Sequence, residues 1–206
     1  VRITILSLYI SLTATLIASS VAMPLGAFIY FKEFRGKQAV ISTLQTLYAL
    51  PTVIVGLLMF LLLSNVGPLG FLHLLYTPTG MILAQTVLII PLLTGLTVTA
   101  LSGIDREKRY TIIALGASSF QSITTILLEA KFAIVGAVVL GFGRAISEVG
   151  TVMIIGGNIR GATRVLTTSI ALNTSMANYS MSIALGIILL GVALGVNIVL
   201  SLVQRR

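Results

Sequence analysis

Charged residues in this sequence come in short bursts, and between the bursts the chain is apolar over long distances. Residues 3–31, 38–104 and 165–204 hold no Asp, Glu, Lys or Arg. About 20 apolar residues in a helix cross ~30 Å of hydrocarbon. The pattern therefore predicts five membrane spans, at about 5–30, 39–63, 79–103, 132–156 and 181–203. Span 1 leads into a basic cluster (Lys32, Glu33, Arg35, Lys37), and span 2 into an uncharged stretch whose Asn65, Gly67, Pro68, Gly70 and Pro78 mark turns. After span 3 the segment 105–131 mixes charges with apolar residues at helical spacing, with Gly116 as an interruption. Two short cytoplasmic helices divided by that glycine are expected. Segment 157–180, rich in Gly, Asn, Ser and Thr, returns the chain to span 5. The fold class is all-α: a polytopic transmembrane helical bundle of five spans, one transmembrane domain over residues 1–206.

Composition sharpens this picture. With 57% hydrophobic and 9% charged residues and a mean hydropathy of +1.10, the chain is excluded from the water-soluble class, where about a quarter of residues are charged. A net charge of +8 does not point to nucleic acid, because little water-exposed surface is left to carry a basic face. It follows instead from short cytoplasmic loops that retain Lys and Arg. With clusters 32–37, 106–131 and 205–206 on one side, nine of the thirteen Lys and Arg lie there, while Arg2, Arg160 and Arg164 fall opposite. The expected orientation is N-terminus outside and C-terminus cytoplasmic, in the cell membrane. The first span lacks an A-x-A-like cleavage site and reads as retained. Because the sequence begins at Val1, a further N-terminal span upstream is left open.

Catalytic chemistry is missing. No G-x-x-x-x-G-K-[ST] phosphate cradle, no cysteine, no Ser/His/acid set and no metal-spaced cluster occurs, and the single His73 reads as a loop side chain. No enzymatic activity and no cofactor are expected, which leaves transport or a packing role. Pro24, Pro51 and Pro91 fall inside spans and invite kinks. The face Gln45, Tyr48, Thr52 beside Pro51 either compensates that kink or lines a pathway. Gly136, Gly141, Gly143 and Gly150 in span 4, with Gly186, Gly191 and Gly195 in span 5, suggest close helix packing, a hinge being the other reading. Arg144 and Glu148 stand four residues apart on one helical face deep in span 4. Charges there must face protein or water and pair, either as a structural clasp or as part of a gate. Segment 105–131 suits docking to a cytoplasmic partner, with an idle hairpin on the lipid surface as the competing view.

At that segment the chain resembles the permease subunit of a type I ABC importer, whose signature runs EAA, then Gly, then I-x-L-P. Gly116 stands at the glycine between Leu115 and Ala117, and Ile126 and Leu128 fit the trailing positions. Tyr110 replaces the Glu, Thr111 and Ile112 the two Ala, and Glu129 the Pro. The stretches LYALPTVIVGLL, GPLG, YTPTGMILAQTVLIIPL and GFGRAISEVGTVMIIGGNIRGATRVLTTSIAL are similar to the oxyanion branch of that family, and IGGNIRGATRVLTTSIAL is most similar to its tungstate type. The resemblance implies a homodimer of permeases, two copies of a cytoplasmic ATPase and an extracytoplasmic binding protein. It implies tungstate as cargo, with molybdate or sulfate as alternatives. It further implies that Tyr110, Leu115, Gly116, Ala117, Phe120, Ile126 and Leu128 belong to a coupling helix seated on the ATPase. Gln45, Tyr48, Thr52, Arg144 and Glu148 are then candidates for the pathway or gate. Arg160 and Arg164 are candidates for contact with the anion, the binding protein or lipid headgroups. A secondary transporter would instead need its own ion-coupling site, for which Arg144 and Glu148 are the one candidate pair; a membrane scaffold gives no reason for the helical pair around Gly116.

Overall fold

The computed structural model describes residues 1–204, with side chains at all positions among them except 106, 109, 110, 113, 119 and 199–204. Arg205 and Arg206, counted above on the cytoplasmic side, lie outside the described residues, as does the side chain of Tyr110. The described residues form helices joined by turns: α1 (Arg2–Phe31), α2 (Lys37–Tyr48), α3 (Thr52–Leu63), a 3-10 turn at Gly70–Leu72, α4 (Pro78–Ser102), α5 (Arg106–Ala114), α6 (Ser119–Glu129), α7 (Lys131–Ile146), α8 (Gly150–Gly156), α9 (Leu166–Ser175) and α10 (Tyr179–Gln204). The all-α expectation is met.

The centre of the bundle is the pair α1 and α4. On α1 the buried positions Ser7, Ser11, Ala14, Ala18, Ala22 and Gly26 recur every three or four residues and form a ridge of small side chains. Small residues let helices approach closely in lipid, where apolar surface alone gives no drive to associate. The ridge seats against α4, whose Thr94 carbonyl oxygen and Thr97 side chain leave no room for a Cβ at Gly26. Three hydroxyls in this seam bond within their own helices, Ser7 donating to the Ile3 carbonyl, Thr15 to that of Ser11 and Thr97 to that of Leu93, whereas the Ser19 hydroxyl is buried without a partner. Ile89 and Leu93 of α4 and Ala145 of α7 complete this central cluster with Ala18 and Ala22.

Among the described residues, three helices, at Arg2–Phe31, Pro78–Ser102 and Tyr179–Ile198, are long and apolar enough to cross a membrane unbroken, and two bent pairs raise the number to five if each counts as one span. The bends correct two of the expected spans. Span 2 is broken into α2 and α3, which meet at 96°. Pro51, extended at φ −60° and ψ 121°, has no N–H to continue a helix. The span expected at 132–156 stops at Ile146 and resumes at Gly150, and α7 is itself turned by 63° from Phe120–Glu129. The return segment 157–180 also differs from expectation. It contains α9, whose Leu166, Thr167, Thr168 and Ser169 are buried. Its hydroxyls tolerate burial because they are bonded: Thr167 donates to the Glu148 carbonyl and Thr168 to that of Val165.

The glycine expectation holds in part. A Cβ on Gly141 would fall 2.7 Å from Leu93, and one on Gly150 would fall 3.0 Å from the Thr52 hydroxyl. Gly143, Gly186, Gly191 and Gly195 meet nothing within 4 Å. Their faces are open in the single chain.

Candidate functional site

The two breaks lie against each other. Gly56 of α3 brings its helix so near α8 that a Cβ there would sit 3.0 Å from Thr151 Cα. Thr151 joins the two breaks. Its hydroxyl donates to the Thr52 carbonyl at 2.8 Å, and its N–H donates to Glu148 Oε1 at 3.0 Å. The other carboxylate oxygen, Oε2, accepts from Arg144 Nη1 at 2.7 Å. The i,i+4 geometry thus survives although α7 ends before Glu148, because the Ser147 N–H still bonds to the Gly143 carbonyl and the Glu148 N–H to that of Ala145. Side chains from other helices also bond the carbonyls at the break. Gln85 Nε2 donates to the Ala145 carbonyl at 3.1 Å, and the Thr167 hydroxyl to that of Glu148 at 2.8 Å. An interrupted helix at membrane depth needs such compensation.

Glu148 is 2% exposed, whereas the Arg144 side chain is 36% exposed. The carboxylate is therefore sealed inside the chain, and its partner reaches a groove. That groove, about 880 Å³, runs between Leu96 on α4, Gly136, Leu140 and Gly143 on α7, and Asn197 on α10. Of the residues named around Pro51, Thr52 is brought to Glu148 through Thr151. Tyr48 is pressed against α4, where Gly95 makes room for its hydroxyl. Gln45 is exposed on α2, away from this node. The sequence reading missed Gln85, Thr151 and Thr167. Gln85 carried a usable signal as a lone amide in an uncharged span, while the two threonines are indistinguishable by sequence from the many hydroxyls that only bond their own helix.

The cytoplasmic hairpin is organised differently. Gly116 takes φ +80°, a left-handed conformation that disfavours any residue with a Cβ. Two residues on, Ser118 begins α6 with a reciprocal cap: its hydroxyl accepts the Gln121 N–H at 3.3 Å and Gln121 Oε1 accepts the Ser118 N–H at 2.8 Å. Leu115, Phe120 and Leu128 are 82%, 75% and 68% exposed. Ala117 is half-buried. Ile126 departs from the docking set: it is buried with Leu101 and Ala130 and fastens the hairpin to the bundle. Lys108 and Glu129 form an ion pair that ties α5 to the end of α6. This hydrogen bond and the opposite charge hold the Lys108 ammonium above the ordinary lysine range and the Glu129 carboxyl below the usual carboxylate range.

At the other end, Arg160 is exposed and Arg164 half-buried. Arg164 donates through Nε to Asn158 Oδ1 at 3.1 Å and through Nη2 to the Asn158 carbonyl at 3.1 Å. With Arg2 these arginines line one cavity of about 750 Å³, whose other walls include Ile3, Ile5, Leu6 and Tyr9.

A family model described as the inner membrane component of binding-protein-dependent transport systems matches residues 22–206. The chain is 48% identical over 201 residues to a tungstate uptake system permease protein of Peptoclostridium acidaminophilum, covering 98% of this chain and 88% of that one. It is 41% identical over 202 residues to a probable anion ABC transporter permease protein of Haloferax volcanii, covering 96% and 87%. Its fold matches the MetNI methionine ABC transporter in an inward-facing conformation with a TM-score of 0.79 at 16% identity, covering 99% of this chain and 94% of that one.

Proposed function

The chain belongs to the family of inner membrane components of binding-protein-dependent transport systems, and we propose that it is the permease subunit through which an ATP-driven importer carries tungstate. The observation that carries the choice of cargo is the 48% identity, over nearly the whole chain, to a tungstate uptake permease. Membership in a binding-protein-dependent family also favours this reading over a secondary transporter with its own ion site.

In this reading two copies form the pathway. The open faces of α7 and α10, with Gly143, Gly186, Gly191 and Gly195 bare and the Arg144 groove between α4 and α7, support a second copy seated there. An extracytoplasmic binding protein delivers the anion, and two cytoplasmic ATPases drive the cycle. The hairpin α5–α6 is the coupling element: Leu115, Phe120 and Leu128 are apolar and solvent-exposed, a state that a partner groove would relieve. The N-terminus lies outside and the C-terminus in the cytoplasm, supported by the grouping of Arg2, Arg160 and Arg164 around one cavity and the larger basic clusters elsewhere in the sequence. When the ATPases close, the hairpins move and α7 pulls on the break at 147–149. Because Thr151 links that break to Thr52, spans 2 and 4 respond together. Each bound species shifts the equilibrium only by its differential affinity for the two states.

The test is reconstitution in lipid nanodiscs with the partner ATPase and binding protein, with ATP hydrolysis as readout. Stimulation by the tungstate-loaded binding protein is expected, greater than with molybdate or sulfate, and lost in Gly116→Pro while the dimer persists. Absence of any ATPase complex and of tungstate-dependent turnover overturns the assignment. A preference for molybdate or sulfate keeps the importer and replaces the cargo.

A further inference from the structure

We propose that the cavity formed by Arg2, Arg160 and Arg164 is a binding site for an anionic phospholipid. The inference rests on the charge and shape of that cavity and does not depend on the cargo.

The first observation is unbalanced charge. The chain has five acidic residues, Glu33, Asp105, Glu107, Glu129 and Glu148, and none of them lines this cavity. Glu148 is committed to Arg144 and Thr151, and the other four belong to the segments 33–37 and 105–129 that connect the opposite ends of the spans. Three arginines therefore line the cavity with no acidic residue among its walls. Arg164 is already oriented by Asn158, so less side-chain freedom is lost when it meets an anion.

The second observation is the character of the remaining wall. Ile3, Ile5, Leu6, Tyr9, Pro78 and Ala162 surround the arginines. A small oxyanion gains nothing from such a wall and loses hydration against it. An amphiphile with a phosphate head and an apolar tail satisfies both parts. The apolar wall also continues along α1. Ile5, Tyr9, Leu12 and Leu16 are exposed, spaced by four, three and four residues, and so form one stripe down the helix. At 1.5 Å per residue the stripe is about 16 Å long, close to half of the ~30 Å hydrocarbon thickness and thus to one leaflet. Tyr9, with an apolar ring and a polar tip, belongs both to the stripe and to the wall of the cavity.

The experiment uses the full chain in complex with its ATPase, purified in mild detergent, with lipid retention read by native mass spectrometry and stability by thermal unfolding. Phosphatidylglycerol is expected to be retained and to raise the unfolding midpoint, phosphatidylcholine to do neither, and inorganic phosphate or tungstate at equal concentration not to displace it. Arg160→Gln and Arg2→Gln, both at exposed positions, should each lower retention about fivefold. Leu6→Trp, which fills the apolar wall and leaves the charge unchanged, should lower it as well, and Arg35→Gln in the basic cluster after α1 should not. Equal retention of the two lipids, or undiminished retention in a folded Arg2→Gln/Arg160→Gln chain, overturns the proposal. So does displacement by free tungstate or phosphate, which would make the cavity an oxyanion site.

Discussion

The node at the two helix breaks and the hairpin α5–α6 solve opposite problems. In the node, a buried carboxylate has each oxygen bonded by this chain, and the Ala145 and Glu148 carbonyls accept from Gln85 and Thr167. In the hairpin, Lys108 and Glu129 are paired at the surface while Leu115, Phe120 and Leu128 stand in solvent. The carboxylate of the node is satisfied within one chain, although Gln85 Oε1 beside it is buried without a partner, whereas the hairpin leaves apolar side chains uncovered. Damage to the first should therefore appear as lost stability of the permease itself. Damage to the second should leave the permease folded and uncouple it.

The largest effect tests the first half of that contrast. Arg144→Met removes one partner of a buried ion pair and leaves Glu148 uncompensated. Losses of ~3–5 kcal/mol accompany such changes in fully buried pairs, and the partial exposure of Arg144 places the expected cost nearer 3 kcal/mol on the same scale. The unfolding midpoint of the purified permease measures it. The double substitution Arg144→Met/Glu148→Leu should recover most of that stability, since no charge is left buried. A double variant as unstable as the single one would mean that the Glu148 cap on Thr151 outweighs the ion pair.

Next in size is Gly116→Ala, which tests the second half. Nothing lies within 4 Å of a Cβ at Gly116, so the cost is conformational, about 1–2 kcal/mol for a left-handed non-glycine residue. It falls on the hairpin alone. The global unfolding midpoint should stay near wild type while binding-protein-stimulated ATP hydrolysis drops, and Phe120→Ser should show the same split without touching the backbone. Loss of global stability in either variant would erase the distinction between the two regions.

The spans, the basic clusters, the glycine-divided hairpin and the Arg144–Glu148 pair were legible because hydropathy and spacing report them directly. The break at 147–149 was not, because Gly150–Gly156 continues the apolar run without a change in hydropathy. What ends the helix is a carboxylate turned onto the Thr151 N–H, a contact that sequence spacing presents only as an i,i+4 partner for Arg144. Pro51 announced a kink but not a 96° turn, since the direction taken by α3 depends on its seat against α8. In α9 the hydroxyls of Thr167 and Thr168 disguised a buried helix as a polar return loop. The bare glycines of α10 show the converse: small residues identify a face that can be approached closely, but not whether this chain or another molecule approaches it.

Thr151→Val asks how tightly the two breaks are joined. The substitution keeps the shape and removes the hydroxyl that bonds the Thr52 carbonyl. Hydrogen bonds between transmembrane helices average about 0.6 kcal/mol, so the midpoint should fall only slightly. Transport per ATP hydrolysed should fall more, if the bond makes spans 2 and 4 move as one. An unchanged transport ratio would separate the two breaks mechanically.

The smallest effect concerns the ion pair that closes the hairpin. Glu129 has a lowered pKa in the fold, so its contribution is present above its unfolded value of about 4.3 and is lost as pH falls through the folded one. Lys108 has a raised pKa, so its contribution is present below about 10.4 and is lost as pH rises through the folded value. Coupled ATP hydrolysis by the assembled importer should owe none of its variation between these limits to this pair. Glu129→Gln should remove the acid-side loss that the pair contributes while leaving the neutral plateau nearly unchanged, because the pair is solvent-exposed and such pairs contribute little. A strong drop of that plateau in Glu129→Gln would show that Glu129 touches the ATPase itself. The hairpin would then meet its partner through a carboxylate as well as through Leu115, Phe120 and Leu128, and the contrast with the node would be one of partners more than of polarity.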